Sequence, residues 1–394
     1  MNLRIIGSTH PGYVLPINEA LMFAGHEAGI CYEENGDYDA LLAEPEDKTM
    51  ARVRGTVFSG HHSVSGHPSY NLLLEGIPKI IAMLLNNEKD YCTSEKSARY
   101  THMQTSPDEQ AIYDKWLEKF KAIILETYPP EQFPKMNDKL AKKLAQENAR
   151  YFISVFTPAT TMGYTVDLRQ GNYLIGFCDT LIEDCMASTD PFMEKLLPCV
   201  VELRNLLFQN LNVENLRDNK GRKFSLFATR KRRECIDENY CINYRGTFSE
   251  LAQAQRHRTL WYEMTIPKLD ACEFFVPYII RDKPELVAEY LSDMESLKQN
   301  FPQGMLIDIN ERGTIEYFCV KCHERLCGNA QLEICKQTEE SLQNLISGAI
   351  TEDFPDVFET LMQYDGQTKC GLGHACNEKR ACFLGPKCAF TRKI

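Results

Sequence analysis

Cationic side chains stand in short groups along this chain, and one group is suited to holding a phosphate chain. Arg256-His257-Arg258 follows an amphipathic run that starts at Phe248. Neighbouring side chains on a helix lie about 100° apart, so the three cannot share one face. At a helix end they could surround an elongated anion such as a pyrophosphate, because the planar fork of arginine matches phosphate oxygens. The alternative for the triplet alone is a solvated basic patch.

Two further groups place an arginine where an anion could bind. Ser97 and Arg99 are two residues apart, so in an extended segment they face the same side and could grip a phosphate. The alternative is that Ser97 and Arg99 are ordinary surface residues that bind no ligand. Arg325 stands just before a predicted helix start, where a buried arginine beside a neutral heterocycle would stabilise its deprotonated form.

Histidines and cysteines are also clustered. His61, His62 and His67 are three of the nine histidines, and hydrogen-bonded structural histidines are favoured over a metal site because no acid or cysteine adjoins them. Eight of the 16 cysteines lie at or beyond Cys319, which indicates metal or thiol chemistry in the C-terminal part.

Length and composition limit the function classes. The 394 residues allow two or three domains, and 43% hydrophobic with 25% charged residues excludes wholesale disorder. A net charge of −11 argues against a nucleic-acid or anionic-membrane partner. No run approaches the ~20 apolar residues of a membrane span, and the start lacks a signal-peptide core. We therefore predict a cytoplasmic protein that uses few disulfides.

The helices and strands that must position these residues are predicted from the spacing of apolar residues and from the residues that typically begin or end such elements. Strands are predicted at 3–6, 70–74, 224–227, 240–244 and 274–280, and helices at 17–32, 80–85, 107–128, 190–211, 248–256 and 283–300. Ser106 and Glu109 form a capping box, with Pro107 at the first helical position. The polar stretch 212–222 predicts a domain boundary. A glycine-rich dinucleotide or Walker-type loop is missing from the sequence.

Together the motifs resemble the flavin-dependent thymidylate synthases, whose pattern is divided here between two halves. The first half carries Gly60-His61, Ser63-Val64, His67, Ser97-Ala98-Arg99-Tyr100 and Arg150. The second half carries Gln253, Arg256-His257-Arg258, Asn310, Arg312, and Arg325 with Ala330-Gln331-x-Glu333-Ile334. The first half has Asn86-Asn87-Glu88 and Cys178 where the family has Arg-His-Arg and the catalytic arginine.

The resemblance implies an α/β (α+β) fold with two related domains, each a mixed β-sheet flanked by helices. We predict domain 1 at 1–211, a linker at 212–222, and domain 2 at 223–394 with a cysteine-rich tail. In the family, several subunits contribute residues to each active site. If two copies of the domain are fused in one chain, each copy can lose the site residues that the other copy supplies. The chain would then be a pseudo-dimer, and two chains would mimic the family's tetramer.

The resemblance also implies roles for the residues. Arg325 is the catalytic arginine that faces the uracil, and the dUMP set is Ser97, Ala98, Arg99, Arg150, Gln253, Arg256 and Arg325. The FAD set is His61, Ser63, Arg169, Arg256, His257, Arg258, Asn310 and Arg312. NADPH and methylene-tetrahydrofolate are the implied cosubstrates.

Two questions stay open at this point. Zinc held by Cys327, Cys370, Cys376 and Cys382 is one interpretation of the tail, with Cys319 and Cys322 as substitute ligands and free thiols as the alternative. The rival functions are another flavin-dependent modification at pyrimidine C5 and a nucleotide-binding pseudoenzyme.

Overall fold

The structure of the chain is a computed structural model. It describes all residues except 11, 33–36, 99–100, 102, 104, 217–225, 229, 373–381 and 384–389. No helix within the described ranges is long and apolar enough to cross a bilayer.

Strands and helices alternate along the chain, which places the fold in the predicted α/β (α+β) class. The strands are β1 Asn2–Ser8, β2 Ser69–Ile77, β3 Cys92–Glu95, β4 Thr160–Asp167, β5 Asn239–Thr247, β6 Trp261–Thr265 and β7 Leu306–Thr314. The helices are α1 Ile17–Ile30, α2 Tyr38–Leu42, α3 Glu46–Gly55, α4 Lys79–Asn87, α5 Pro107–Thr127, α6 Asp138–Ala149, α7 Leu168–Ala187, α8 Pro191–Leu211, α9 Phe248–Ala254, α10 Pro284–Ser296, α11 Ile315–Arg325, α12 Leu332–Thr351 and α13 Pro355–Met362.

The chain forms two compact units, each made of two separate stretches. The first contains residues 1–96 and 158–224, and the second contains residues 97–157 and 225–394. The first unit holds a four-stranded sheet of order β1-β2-β4-β3, and the second holds a three-stranded sheet of order β5-β7-β6. Neighbouring strands are antiparallel in both sheets, where the sequence had predicted mixed ones.

The units divide the chain differently from the predicted domains. Residues 97–157, assigned to domain 1 from the sequence, group with the C-terminal stretch. The cause is the apolar face of α5. Trp116 is fully buried, lies edge-on to Tyr290 at 5.1 Å between ring centroids, and donates from Nε1 to Asp293 Oδ2 at 2.7 Å. Truncating a tryptophan buried in this way costs about 3–5 kcal/mol, which is enough to fix α5 to α10.

Local signals predicted about half of these elements. The Ser106 hydroxyl accepts from the Glu109 amide at 3.5 Å at the start of α5, and Tyr128 ends it before Pro129. The predicted strand at 274–280 is wrong: the described structure there has a single bridge at Phe274 and a 3-10 turn at Tyr278–Ile280. Pro277 explains the difference, because it has no N–H for a strand ladder.

Three strands in each unit share one topology. A strand leads into a helix and a second strand follows. After one or two intervening helices, a third strand runs directly into another helix: β2-α4-β3-α5-α6-β4-α7 and β5-α9-β6-α10-β7-α11. The third strand lies between the other two in both sheets. The registers agree as well, since Ser69 pairs with the helix cap Asp167, and Asn239 pairs with the helix cap Thr314.

Candidate functional site

Arg325 and His257 meet in the second unit at the ends of two helices that follow strands of its sheet. Arg325 is the last residue of α11, and His257 lies just beyond α9. Arg325 donates from Nε to His257 Nε2 at 2.8 Å and from Nη2 to the Gln253 carbonyl oxygen at 3.2 Å. These bonds fix the guanidinium plane of the predicted catalytic arginine.

The imidazole of His257 is held neutral. Burial, together with the charges of Arg325 and Lys321, lowers the pKa of His257 to about 2. A neutral imidazole can accept through Nε2, whereas an imidazolium would repel the guanidinium. The middle residue of the triplet is therefore an acceptor that orients Arg325.

Arg256 and Arg258 are exposed, whereas His257 is 8% exposed. The triplet therefore divides as the helical geometry predicted, with the imidazole inward and two guanidinium groups outward. This arrangement leaves both arginines accessible to an anionic ligand.

Gln331 joins the two halves of the predicted nucleotide set. Its Oε1 accepts from Gln253 Nε2 at 3.0 Å and also from Arg150 Nη2. Arg150 comes from the end of α6 in the first half of the sequence, yet it belongs to the same compact unit as Gln253 and Arg325. The sequence-predicted residues Arg150, Gln253 and Arg325 are thus brought together, and the two glutamines link them.

Glu333 supports this junction from the following helix, α12. Its carboxylate accepts from Tyr151 Oη at 2.6 Å, from Thr247 Oγ1 at 3.1 Å and from the Thr247 amide at 3.2 Å. Tyr151 Oη in turn accepts from Gln331 Nε2 at 2.5 Å. Burial raises the pKa of Glu333, although its hydrogen bonds to Tyr151 and Thr247 oppose that rise.

Asn310 and Arg312 lie two residues apart on β7 and hold each other. Arg312 donates from Nη1 to Asn310 Oδ1 at 3.1 Å, and its Nη2 is 3.1 Å from Glu263 Oε1. Asn310 Nδ2 donates to Cys241 Sγ at 3.1 Å and to Asn243 Oδ1 at 3.0 Å. Both predicted cofactor residues are therefore fixed in the sheet, and the charge of Arg312 is partly neutralised.

The remaining predicted residues lie elsewhere. His61 and Ser63 are exposed, in and beside the 3-10 turn His62–Gly66, which packs against α7, the helix of Arg169. These three are in the first unit. Ser97 and Ala98 are half-buried residues that belong to the second unit, whereas Arg99 lies outside the described residues.

The structure gives the predicted zinc site no support. In the part of the chain that the structure describes, no three His, Cys, Asp or Glu side chains form a group that could hold a metal. Cys370 is a free thiol there, Cys327 and Cys382 belong to no such group, and Cys376 lies outside the described residues. The substitute ligands Cys319 and Cys322 are likewise free thiols.

Two features near the site were missed by sequence reasoning. Arg392 donates to the Cys327 carbonyl at 3.4 Å and the Ala330 carbonyl at 2.6 Å, which holds the loop before Gln331. Lys321 donates to Glu311 Oε2 at 2.6 Å with both side chains fully buried. The sequence motifs gave no hint of either, because each contact joins residues of different elements.

A cavity of about 1650 Å³ opens beside this network within the second unit. Residues of β5, the segment 274–281 and α12 line it, including Tyr244, Phe275, Tyr278, Arg281 and Glu333. None of the described site residues predicted from the sequence lines it. Glu250 also borders it: this carboxyl is fully buried, both of its oxygens lack a hydrogen-bond partner among the described residues, and burial raises its pKa to about 8.

Comparison with known proteins identifies the first part of the chain. Residues 19–177 match the family model Thy1, thymidylate synthase complementing protein. A comparison with curated proteins gives no match. The predicted resemblance is therefore confirmed over 19–177, and the tandem arrangement stays a prediction.

Two solved structures are similar to the chain at low identity. One is thymidylate synthase X from Helicobacter pylori with FAD and dUMP, at 17% identity over 55% of this chain and 96% of that one, with a TM-score of 0.31. Another structure of the Helicobacter pylori flavin-dependent enzyme, complexed with FAD and dUMP, is 16% identical over 54% of this chain and 100% of that one, with a TM-score of 0.29.

Proposed function

We propose that the chain is a flavin-dependent thymidylate synthase, and the match of residues 19–177 to the model for thymidylate synthase complementing proteins supports this. The proposed reaction converts dUMP to dTMP, with methylene-tetrahydrofolate as one-carbon donor and NADPH as reductant. The family match covers the half that lacks the Arg-His-Arg triplet, so the argument for activity depends on the second unit.

The junction at Gln331 carries this proposal. It joins Arg150, kept by the first half, to Gln253, which in turn holds Arg325, kept by the second half. Nucleotide-binding residues that are divided between two halves of the sequence can form one site only if the fold brings them together. The grouping of 97–157 with 225–394 supports that reunion within one chain.

Arg325 is the proposed catalytic residue. A guanidinium opposite the uracil favours the N3-ionised form of the base, which makes C5 more nucleophilic. Neutral His257 fixes the guanidinium through Nε, so little reorganisation is needed when negative charge develops. No protein cysteine is needed as nucleophile, which agrees with the buried position of Cys178, whose pKa burial raises.

The proposed dUMP site holds the nucleotide and its phosphate between two groups of residues. Ser97, Ala98, Arg99 and Arg150 would approach it from one side, and Gln253 and Arg256 would hold the nucleotide from the other. Gln253 Oε1 is buried and has no hydrogen-bond partner among the described residues, so it offers an acceptor to a bound nucleotide. Arg256 is exposed and makes no ion pair within the described residues.

The donor set also fits an anionic dinucleotide such as FAD. His257 and the exposed Arg258 would contribute from the α9 end, and Asn310 and Arg312 from β7. The proposed roles of His61, Ser63 and Arg169 in flavin binding rest on the resemblance alone. When bound, FAD would supply the redox chemistry, and NADPH would return it to the reduced form. The contribution of the chain is to hold this cofactor and keep Arg325 in place.

Assembly follows from the same proposal. The matching strand topologies of the two units support a tandem with repeats at 1–211 and 223–394, in which two chains mimic a tetramer. We place the protein in the cytoplasm, where folate and NADPH are supplied, and we propose zinc in the tail only as an accessory group.

Product analysis by mass spectrometry tests the function. Purified protein is given FAD, NADPH, dUMP and methylene-tetrahydrofolate, and we expect dTMP to accumulate. A pyrimidine product of another mass would establish the rival C5 modification instead. Binding of dUMP and FAD without turnover would establish the pseudoenzyme.

A further inference from the structure

Cys241 lies on β5, and Cys235 stands directly opposite it on the segment that precedes this strand. They form an antiparallel bridge in which the Cys235 amide donates to the Cys241 carbonyl at 3.0 Å and the Cys241 amide donates back at 2.9 Å. Opposed residues of this kind have Cα atoms about 5.5 Å apart and side chains on the same face of the sheet. A disulfide requires Cα atoms about 4.4–6.8 Å apart, so the backbone already meets the condition for one.

The two thiols differ in access, which suits successive steps of thiol–disulfide exchange. Cys235 is exposed, whereas Cys241 is 7% exposed, and both are free thiols bordering the large cavity. An external disulfide can therefore reach Cys235 first, and Cys241 is placed to resolve the adduct.

We propose that Cys235 and Cys241 form a reversible disulfide site with glutathione disulfide as its oxidant. The Cys235 thiolate attacks one sulfur of glutathione disulfide and releases one glutathione thiolate. Cys241 Sγ then attacks the Cys235 sulfur of the mixed disulfide and releases the second. The protein dithiol loses two protons and two electrons, and glutathione disulfide gains both to become two glutathione thiols.

The sulfur of Cys241 is also a contact of the proposed flavin site. Asn310 Nδ2 donates to it, and Asn310 Oδ1 accepts from Arg312. The segment carrying Cys235 is attached to the same residues, because Arg232 donates from Nε to Glu263 at 3.0 Å and Glu263 pairs with Arg312. Disulfide formation changes the acceptor of Asn310 and fixes this segment covalently. On the proposed function, we infer that oxidation weakens FAD binding about threefold to tenfold.

Peptide mass spectrometry tests the disulfide without any assay of function. Cys235 and Cys241 share one tryptic peptide, residues 234–245, since no lysine or arginine lies between them. After equilibration of the full chain in a glutathione buffer rich in the disulfide form, we expect this peptide to resist alkylation and to weigh about 2 Da less than the dithiol. Cys272, which faces no second cysteine in the described structure, should remain alkylated and serves as the control. Full alkylation of both bridge cysteines under these conditions would overturn the proposal.

FAD titration then tests the coupling. The oxidised wild type should bind FAD about threefold to tenfold more weakly than the reduced form, and Cys235→Ser should bind equally in both buffers. Equal affinities of the two wild-type forms would refute the coupling. If no form binds FAD, the proposed function fails, whereas the peptide result still decides whether the disulfide site exists.

Discussion

The trio β2-β4-β3 and the trio β5-β7-β6 share topology and register but differ at the positions where chemistry would occur. His257 lies ten residues after the end of β5, and Asn87 lies ten residues after the end of β2. Arg325 lies eleven residues after the cap Thr314, and Cys178 lies eleven after the cap Asp167. The sequence alignment of 86–88 and 178 with the triplet and the catalytic arginine agrees with these counts.

Each trio uses its corresponding positions differently. In the first, Glu88 is 1% exposed and tied by Tyr173 Oη, while Gln170 donates to its carbonyl at 2.9 Å, and Cys178 is 1% exposed. In the second, a neutral imidazole holds a guanidinium. The comparison teaches that these positions belong to the core in the first trio, whereas in the second trio Arg256 is exposed and Arg325 is half-buried.

The largest effect is expected from exchanging these counterparts separately. Arg325→Ala should lower the rate of dTMP formation at least about 100-fold to 1000-fold, because a preorganised cation at the base is lost. Cys178→Ala should leave the rate within about twofold, and mass-spectrometric product quantification measures both. Comparable losses in the two variants would contradict the assignment of activity to the second trio.

Complementation tests whether one chain unites the divided set. Arg99→Ala and Arg256→Ala should each abolish dTMP formation, and mixing the two variants under conditions of subunit exchange should restore none of it. The reason is that Arg256 and the described neighbours of Arg99, Ser97 and Ala98, belong to stretches of the same compact unit. Restoration to about a quarter or a half of wild-type activity would place the site across two chains instead. Full activity of both single variants would contradict the interpretation that the site residues are divided between the two halves of the sequence.

A smaller effect concerns the buried ion pair, which only the second trio contains. Glu311 and Lys321 correspond to Tyr164 and Leu174 in the first trio, by the same count from the caps. Lys321→Leu should lower the free energy of unfolding by about 3–5 kcal/mol, because it leaves Glu311 buried and unpaired. The double change with Glu311→Leu should recover much of that loss. Denaturant titration measures both, and equal destabilisation by the single and double variants would contradict the pairing.

An effect spread over several pH units is expected from Glu250, whose counterpart in the first trio is Ile80. The pKa of Glu250 is raised to about 8 by burial, above the unfolded value of 4.5, so its contribution to stability is complete below pH 4.5 and is lost as pH rises to 8. Glu250→Gln should therefore become more stable relative to wild type across this window, by up to about 1.4 kcal/mol per pH unit. Ile80→Val is a matched control, whose effect should not vary with pH. A pH-independent difference for Glu250→Gln would refute the buried neutral acid.

Local signals predicted local structure, and long-range packing decided the rest. Ser106 with Glu109 predicted the start of α5 because a capping box is a short-range pattern. Nothing within α5 shows that Trp116 is destined for Asp293, far along the chain, so the regrouping of 97–157 could not be predicted. The Arg-His-Arg triplet and Arg325 were recognisable as motifs, whereas the Gln331 junction and Arg392 depend on contacts between elements.

The interleaving of the two units also has a consequence during synthesis. Helix α5 leaves the ribosome well before α10, because Asp293 follows Trp116 by 177 residues. At about 5–20 residues per second, the apolar face around Trp116 waits roughly 9–35 s for Asp293 to arrive. Over that interval the nascent chain exposes an apolar helix face whose native partner has not yet been synthesised. Chaperones that bind such a face should therefore determine the fraction of newly synthesised chains that fold.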